Sequence, residues 1–128
     1  MRLTILGFWV LAAMAASCAQ AQNANKLSVA DFEKKMTTTA EKIVLDVRTA
    51  SEFQGGHIDG AVQIDFYKND FRQQIEKLDK TKPVFVYCAA GGRSGSATSI
   101  LAEAGFKQVF DLQGGMNAWS RAGKKVVK

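Results

Sequence analysis

The sequence predicts one α/β domain in which helices cover both faces of a mostly parallel central sheet, a three-layer fold. Two observations predict it. Short apolar runs rich in β-branched residues alternate along the chain with amphipathic segments, and the connections between them are short. Such an alternation builds right-handed βαβ units, whose helices cover a parallel sheet from both sides. A length of 128 residues suits one core and is too short for two domains.

The beginning of the chain is predicted to be an export signal rather than part of the fold. Arg2 gives a short positive region, and the apolar stretch 3–16 that follows ends in small residues and is too short to span a bilayer comfortably. Two processing routes stay open: removal of residues 1–21 at an A-x-A site, or removal of 1–17 with acylation of Cys18. We therefore expect an exported, periplasmic protein, anchored to the membrane only in the second case.

The mature chain is predicted to begin with a short tether at residues 22–26, and the domain occupies 27–128. Ser28 followed by Asp31 indicates a helix start, because these side chains can satisfy free backbone N–H groups there. The predicted elements are a helix from 28 to about 36, a strand at 42–47, a helical turn at 49–55, a strand at 61–65, a helix at 70–78, a strand at 84–88, a helix at 94–104, a strand at 108–112 and a helix at 116–121.

Composition and charge exclude several function classes. The chain is 47% hydrophobic and 23% charged, which is ordinary for a globular protein and too apolar for a disordered one. Its net charge is +5, but the basic residues are scattered, with no stripe interleaved with aromatic residues. No nucleic-acid partner and no membrane span in the mature domain are expected. Cys88 and His57 are too few for a metal site, so we expect no metal or cofactor.

Cys88 lies where a strand-like run passes into a helix. The residues after it are small and include two glycines, so several backbone N–H groups can point inward, next to the positive end of the helix dipole. Such surroundings favour a nucleophilic thiolate over an inert core cysteine. Cys88 is therefore the predicted catalytic residue. The predicted substrate-binding loop consists of Ala89, Ala90, Gly91, Gly92, Arg93 and Ser94.

Four motifs, in this order along the chain, resemble those of the rhodanese family of sulfurtransferases. They are LDVR at 45–48 with Glu52 and Phe53 after it, GHIDGA at 56–61, the C-x-x-G-x-R-S loop at 88–94, and LQGG at 112–115 with Trp119 after it. The resemblance covers nearly all of the mature domain. It implies a rhodanese-like fold and a cysteine that takes a sulfane sulfur from thiosulfate or a persulfide and passes it to cyanide or a thiol. A protein sulfur acceptor stays open, and a monomer is expected.

Asp46, Arg48 and Glu52 are the predicted supporting residues. The resemblance places Glu52 at the family's acidic position, where pairing with Arg93 would brace the loop; this is favoured over Arg93 binding donor anions. Asp46 and Arg48 either contribute to substrate binding or, as we favour, tie loops together. The loop carries no charge besides Arg93, so a bulkier persulfide or a protein partner fits its rim as well as thiosulfate does.

Three other functions stay open. The domain could be a non-catalytic binding module, which the intact Cys88 argues against, or a thiol-redox or sulfur-relay partner of another exported protein. It could also be a phosphatase or arsenate reductase. Those enzymes use C-x5-R, whereas Cys88 and Arg93 form C-x4-R, and the shorter loop is expected to leave too little room for phosphate.

Overall fold

The computed structural model describes residues 25–128, which form a five-stranded sheet and five helices. The predicted signal peptide and residues 22–24 of the predicted tether lie outside the described residues. The elements, in chain order, are β1 (Asn25–Leu27), α1 (Val29–Thr38), β2 (Ile43–Asp46), α2 (Ala50–Gln54), β3 (Val62–Gln63), α3 (Phe71–Glu76), β4 (Val84–Tyr87), α4 (Gly92–Glu103), β5 (Val109–Leu112) and α5 (Gly115–Arg121). The strand order is β1-β5-β4-β2-β3 and every pairing is parallel, which confirms the predicted fold class.

The two faces of the sheet carry separate cores. Every residue of β2, β4 and β5 is buried, as expected for parallel strands covered on both sides. Side chains of α3 and α4, such as Ile75 and Leu101, pack on one face against Leu45 and Val86. Side chains of α1 and α5 pack on the other face, where Phe85 belongs to the same core. Because successive strand residues point to opposite faces, Cys88 lies on the α3/α4 face with Val86.

Each helix and strand predicted from the sequence begins and ends within two residues of its position in the structure. The Ser28 side chain caps α1 by accepting a hydrogen bond from the Asp31 N–H at 3.2 Å. Thr49 and Glu52 form a complete capping box at the start of α2. Within residues 25–128, none of the helices combines the length and the apolar character that crossing a membrane requires.

The structure differs from the predicted elements in two places that bear on the site. Asn25–Leu27 form the edge strand β1 by pairing with residues 110–112 of β5, whereas residues 25 and 26 were predicted to belong to the tether. Helix α4 begins at Gly92 rather than at residue 94, because Gly91 adopts φ +117° and turns the chain into the helix earlier. The N-terminus of α4 is therefore closer to Cys88 than the sequence indicates.

Candidate functional site

The Cys88 thiol is enclosed by the loop that follows it. Cys88 comes directly after β4 and is 1% exposed. Its Sγ accepts a hydrogen bond from the Gly91 N–H at 3.0 Å and donates one to Ser94 Oγ at 3.4 Å. The sulfur thus lies at the carboxyl end of a parallel strand, against the first turn of a helix, which is where ligands bind in sheets of this type.

The surroundings of the sulfur favour its charged form. Burial is the largest single effect and by itself would raise the pKa of Cys88. Once the sulfur is ionised, it can only accept, and hydrogen bonds to it from the Ser94 hydroxyl and from the backbone N–H groups of Ser94, Gly91 and Ala90 outweigh the effect of burial, so the pKa of Cys88 lies below its ordinary value. A low pKa makes a cysteine nucleophilic near neutral pH because the thiolate is the reacting form.

Helix α5 fixes the loop from its other side. The Met116 N–H donates to the Cys88 carbonyl at 2.8 Å, and the Asn117 N–H donates to the Ala89 carbonyl at 3.0 Å. Gly115 makes this approach possible: it has φ +56°, and a Cβ there would lie 2.4 Å from the Cys88 carbonyl oxygen. The sequence interpretation missed this support, although two consecutive glycines before a helix are a signal of close backbone approach.

Arg93 and Glu52 form a bidentate ion pair beside the loop. Arg93 Nη1 and Nη2 donate to Glu52 Oε1 and Oε2 at 2.7 and 3.0 Å. The hydrogen bond from Arg93 is the main reason that the pKa of Glu52 falls to about 2, and the reciprocal contact raises the pKa of Arg93. The guanidinium carbon also lies 5.6 Å from the centre of the exposed Tyr67 ring. The guanidinium is therefore engaged with Glu52 rather than turned over the sulfur.

Asp46 and Arg48 form a second, more deeply buried pair. Arg48 Nη2 donates to Asp46 Oδ2 and to the Gly56 carbonyl, each at 2.7 Å. Burial would lower the pKa of Arg48, but the hydrogen bond and the charge of Asp46 raise it. Asp46 pairs in register with Tyr87, which belongs to the core on the face opposite Cys88. The pair thus connects the end of β2 to the segment before Ile58, and the structure does not bring it to the sulfur.

His57 and Trp119 also lie in structural surroundings. The His57 ring stacks on Phe53 with 3.7 Å between ring centroids, and its Nδ1 lies 2.9 Å from the Phe53 carbonyl. Trp119 is buried in the core opposite Cys88 and donates its indole N–H to the Lys125 carbonyl. These contacts indicate structural roles for both residues.

Asp111 is a buried acid near the site that the sequence interpretation did not single out. It lies in β5, is 1% exposed, and its Oδ1 has no hydrogen-bond partner among residues 25–128. A charged residue inside a strand that is buried on both faces was the available signal, since such strands are normally continuous apolar runs.

The loop, its cysteine and the parallel sheet agree with what comparison with known proteins shows. A family model described as the rhodanese-like domain matches residues 28–122. The chain belongs to this family. Among rhodanese-like relatives, a sulfurtransferase of Allochromatium vinosum is 29% identical over 103 residues, which cover 80% of this chain and 94% of the relative. The thiosulfate sulfurtransferase GlpE of Shewanella oneidensis is 34% identical, and the match covers 69% of this chain and 85% of GlpE.

Solved structures show the same rhodanese-like fold. A rhodanese-related protein from Thermoplasma volcanium superimposes with a TM-score of 0.71 at 29% identity, covering 80% of this chain and 97% of that protein. The Alr3790 protein from Anabaena gives a TM-score of 0.69 at 27% identity, covering 79% of this chain and 81% of its own. The family match and the shared fold confirm the family resemblance drawn from the motifs.

Proposed function

We propose that this protein is a sulfurtransferase in which Cys88 carries a sulfane sulfur as a persulfide. The observation that carries the proposal is the position of Cys88 Sγ, which accepts the Gly91 N–H at 3.0 Å inside a short C-x4-R loop at a helix N-terminus. Donors placed in this way hold a thiolate, and they remain in place for the anionic outer sulfur of a persulfide.

The proposed cycle has two balanced steps. The Cys88 thiolate attacks the outer sulfur of thiosulfate; a new S–S bond forms, the old one breaks, and sulfite leaves with the electron pair. The enzyme then carries Cys88–S–S⁻. In the second step, cyanide or an acceptor thiolate attacks the outer sulfur and the S–S bond of the persulfide breaks. The acceptor leaves as thiocyanate or as a new persulfide, and Cys88 is again a thiolate. Neither step needs a general base once the thiolate exists, so no histidine is required.

The Arg93–Glu52 pair supports sulfur transfer over phosphate chemistry. A phosphate-binding loop uses its arginine as a planar fork on the tetrahedral anion. Here both terminal nitrogens of the Arg93 guanidinium donate to the Glu52 carboxylate instead. Backbone N–H groups then remain as the donors next to the sulfur, an arrangement that suits a single sulfur atom.

The nature of the acceptor is a further part of the proposal. The loop rim at Ala90 and Gly92 is exposed and uncharged, and the neighbouring Tyr67 ring is 68% exposed. A large acceptor, such as a protein thiol, can lie against such a rim without meeting a fixed charge. Relay of sulfur to a protein thiol is therefore the second candidate.

Steady-state kinetics with thiosulfate and cyanide test the proposal. Parallel lines in double-reciprocal plots, as a two-step cycle through a covalent enzyme form requires, are expected for the wild type, and Cys88→Ser is expected to abolish turnover. If the wild type transfers sulfur from polysulfide but not from thiosulfate, the persulfide cycle is supported and the donor is a polysulfide rather than thiosulfate. Full activity in Cys88→Ser refutes it.

We also propose that the reaction takes place after export, on the strength of the N-terminal sequence. Intact mass of the protein isolated from cells tests this. A mature chain that begins at residue 22, or an acylated chain that begins at Cys18, supports export. A chain that keeps residues 1–17 in the cytoplasmic fraction contradicts it.

A further inference from the structure

Helix α2 carries the carboxylate that pairs with Arg93, yet none of its residues is buried. It has only five residues, Ala50–Gln54, and its capping box with Thr49 fixes its first turn alone. A helix in a folded protein is ordinarily held by an apolar face that packs on the core. The position of Glu52 therefore depends on contacts made at the end of α2.

His57 holds the end of α2. Its ring stacks on Phe53, the residue after Glu52, with 3.7 Å between ring centroids and 9° between ring planes. Its Nδ1 lies 2.9 Å from the Phe53 carbonyl oxygen. A carbonyl oxygen only accepts, so Nδ1 carries the proton in this contact. His57 thus holds the last turn of α2 by a ring face and by a hydrogen bond.

The C-terminal segment, residues 124–128, holds His57 in turn. The His57 N–H donates to the Val127 carbonyl and the Val127 N–H donates to the His57 carbonyl, each at 2.9 Å. Gly56 admits this segment, because it has φ +145° and a Cβ there would lie 2.8 Å from Val126 Cγ1. Two backbone hydrogen bonds and a close side-chain contact therefore fix the residues that follow α2.

The C-terminal segment is itself anchored to the core on the face opposite the sulfur. Trp119 belongs to that core, is 2% exposed, and donates its indole N–H to the Lys125 carbonyl at 2.8 Å. Lys124 donates its backbone N–H to the Trp119 carbonyl at 3.2 Å, and its Nζ lies 2.9 Å from Glu33 on α1. A continuous series of contacts therefore runs from α1 and α5, through the C-terminal segment and His57, to α2.

We propose that His57 is a positioning residue, which holds α2 so that Glu52 meets Arg93. The C-terminal segment thereby acts on the loop around the sulfur from the other face of the sheet. Arg93 precedes Ser94 on α4, and Ser94 Oγ lies 3.4 Å from Cys88 Sγ. The proposal deepens the proposed function, on which it rests for the role of Cys88 as the nucleophile. His57 takes no proton in it.

The rate of Cys88 alkylation by iodoacetamide tests the proposal in the whole protein. His57→Ala removes both the ring and the donor. It is expected to slow alkylation by about 2- to 30-fold, the usual effect of a residue that acts on a site through others. The reason is that the N–H donors of the loop move away from the thiolate once α2 is released. A wild-type rate in His57→Ala would overturn the proposal.

Two conservative variants separate the two contacts that His57 makes. His57→Phe keeps a ring that can stack on Phe53 but has no donor for its carbonyl. His57→Asn keeps a donor near the position of Nδ1 but has no ring. Each is expected to recover part of the alkylation rate that His57→Ala loses. If neither recovers any, the contacts with α2 do not carry the effect and the proposal is wrong.

A Glu52→Ala background separates positioning from a general loss of stability. If His57 acts through the ion pair, His57→Ala slows alkylation when Glu52 is present and leaves the rate unchanged when it is absent. Equal slowing in both backgrounds would overturn the proposal, because independent sites add. Val44→Ala, which shortens a buried side chain of the core opposite the sulfur, is the matched control. It is expected to lower the free energy of unfolding and to keep the wild-type alkylation rate.

Val127→Pro keeps the proposal testable if the His57 variants do not fold. Proline has no N–H, so this change removes the hydrogen bond from residue 127 to the His57 carbonyl and alters no buried side chain. It is expected to slow alkylation by a smaller factor than His57→Ala does. An unchanged rate in Val127→Pro would contradict the role of the C-terminal segment.

Alkylation needs no sulfur donor, so its outcome is independent of the proposed function. The expected pattern of rates in a protein without sulfur-transfer activity would leave this inference intact and refute only the proposed function. Sulfur transfer by a protein in which alkylation does not respond to His57 would refute only this inference.

Discussion

Gly115→Ala is the substitution whose effect follows most directly from the geometry of the site. Gly115 has φ +56°, and an added Cβ would lie 2.4 Å from the Cys88 carbonyl oxygen and 2.7 Å from the Ala89 carbonyl carbon. Contacts of this kind ordinarily begin near 3.4 Å, so the backbone of the loop has to retreat by about 1 Å. The methyl group therefore acts on the backbone that positions the sulfur.

Two costs combine in this variant. An alanine at positive φ adds about 1 to 3 kcal/mol of backbone strain. Inserting a methyl group into a filled space adds about 1 to 3 kcal/mol more. Gly123→Ala is the matched control, because Gly123 has φ +71° and nothing lies within 4 Å of the position of its Cβ. The control measures strain alone, and the difference between the two variants measures the displacement of the loop.

Urea denaturation measures the loss of stability, and the rates of Cys88 alkylation and sulfur transfer measure the displacement of the loop. Gly115→Ala is expected to lower the free energy of unfolding by more than Gly123→Ala does. Because a misplacement of about 1 Å can cost about 100-fold in rate, it is also expected to slow sulfur transfer by roughly that factor. Gly123→Ala is expected to keep the wild-type rate. Equal stability of the two variants, with Cys88 equally reactive in both, would refute the geometric reasoning.

Two further predictions concern the ion pairs near the site. Glu52→Gln is expected to lower the free energy of unfolding at neutral pH by up to about 1 kcal/mol, since the pair is partly exposed. The pKa of Glu52 is about 2 in the folded protein against an ordinary 4.5. The extra stability of the wild type over Glu52→Gln is therefore complete above about pH 4.5 and is lost as the pH falls through 2. Urea denaturation of both proteins across this range checks the prediction, and a stability difference that does not depend on pH would contradict it. Arg48→Ala is expected to destabilise the fold by about 3 to 5 kcal/mol, because it leaves the fully buried Asp46 charge without its partner. Arg72→Ala removes an arginine from an exposed pair and is the control, with an expected loss of unfolding free energy below about 1 kcal/mol. Equal losses for the two arginine variants in denaturant titrations would count against the claim that Arg48 compensates the buried charge of Asp46.

The sequence predicts the sheet well because its signals are local. The runs around Ile43–Asp46, Val84–Tyr87 and Val109–Leu112 are buried on both faces, and their apolar, β-branched composition indicates this directly. The N-caps Ser28 and Thr49 are equally local, since each satisfies a backbone N–H within its own first turn. Elements that depend on a few neighbouring residues are therefore found from the sequence alone.

Elements that depend on distant partners are missed. The three residues of β1 are mostly polar and exposed, and only pairing with β5 makes them a strand. The start of α4 is misplaced because Gly92 is a weak helix former, so glycines after Cys88 indicate a loop. The conformation of Gly91 in the folded chain decides the boundary instead.

The candidate site shows the same division. Cys88, its loop and the Arg93–Glu52 pair are found from the motif and the family resemblance. The contribution of α5 is not, because the hydrogen bonds from Met116 and Asn117 join segments that are almost thirty residues apart. Asp111 is missed for a similar reason, because its burial follows from its pairing with Val86 of β4 and Lys26 of β1.

Intact mass of the purified protein after incubation with thiosulfate tests the central claim, a persulfide on Cys88, most directly. The wild type is expected to gain the mass of one sulfur atom, to lose it on addition of cyanide, and to release an equal amount of thiocyanate. Cys88→Ser is expected to gain nothing. No gain from thiosulfate, polysulfide or a small persulfide, in a protein whose Cys88 still reacts with iodoacetamide, would contradict the claim that this cysteine carries sulfur.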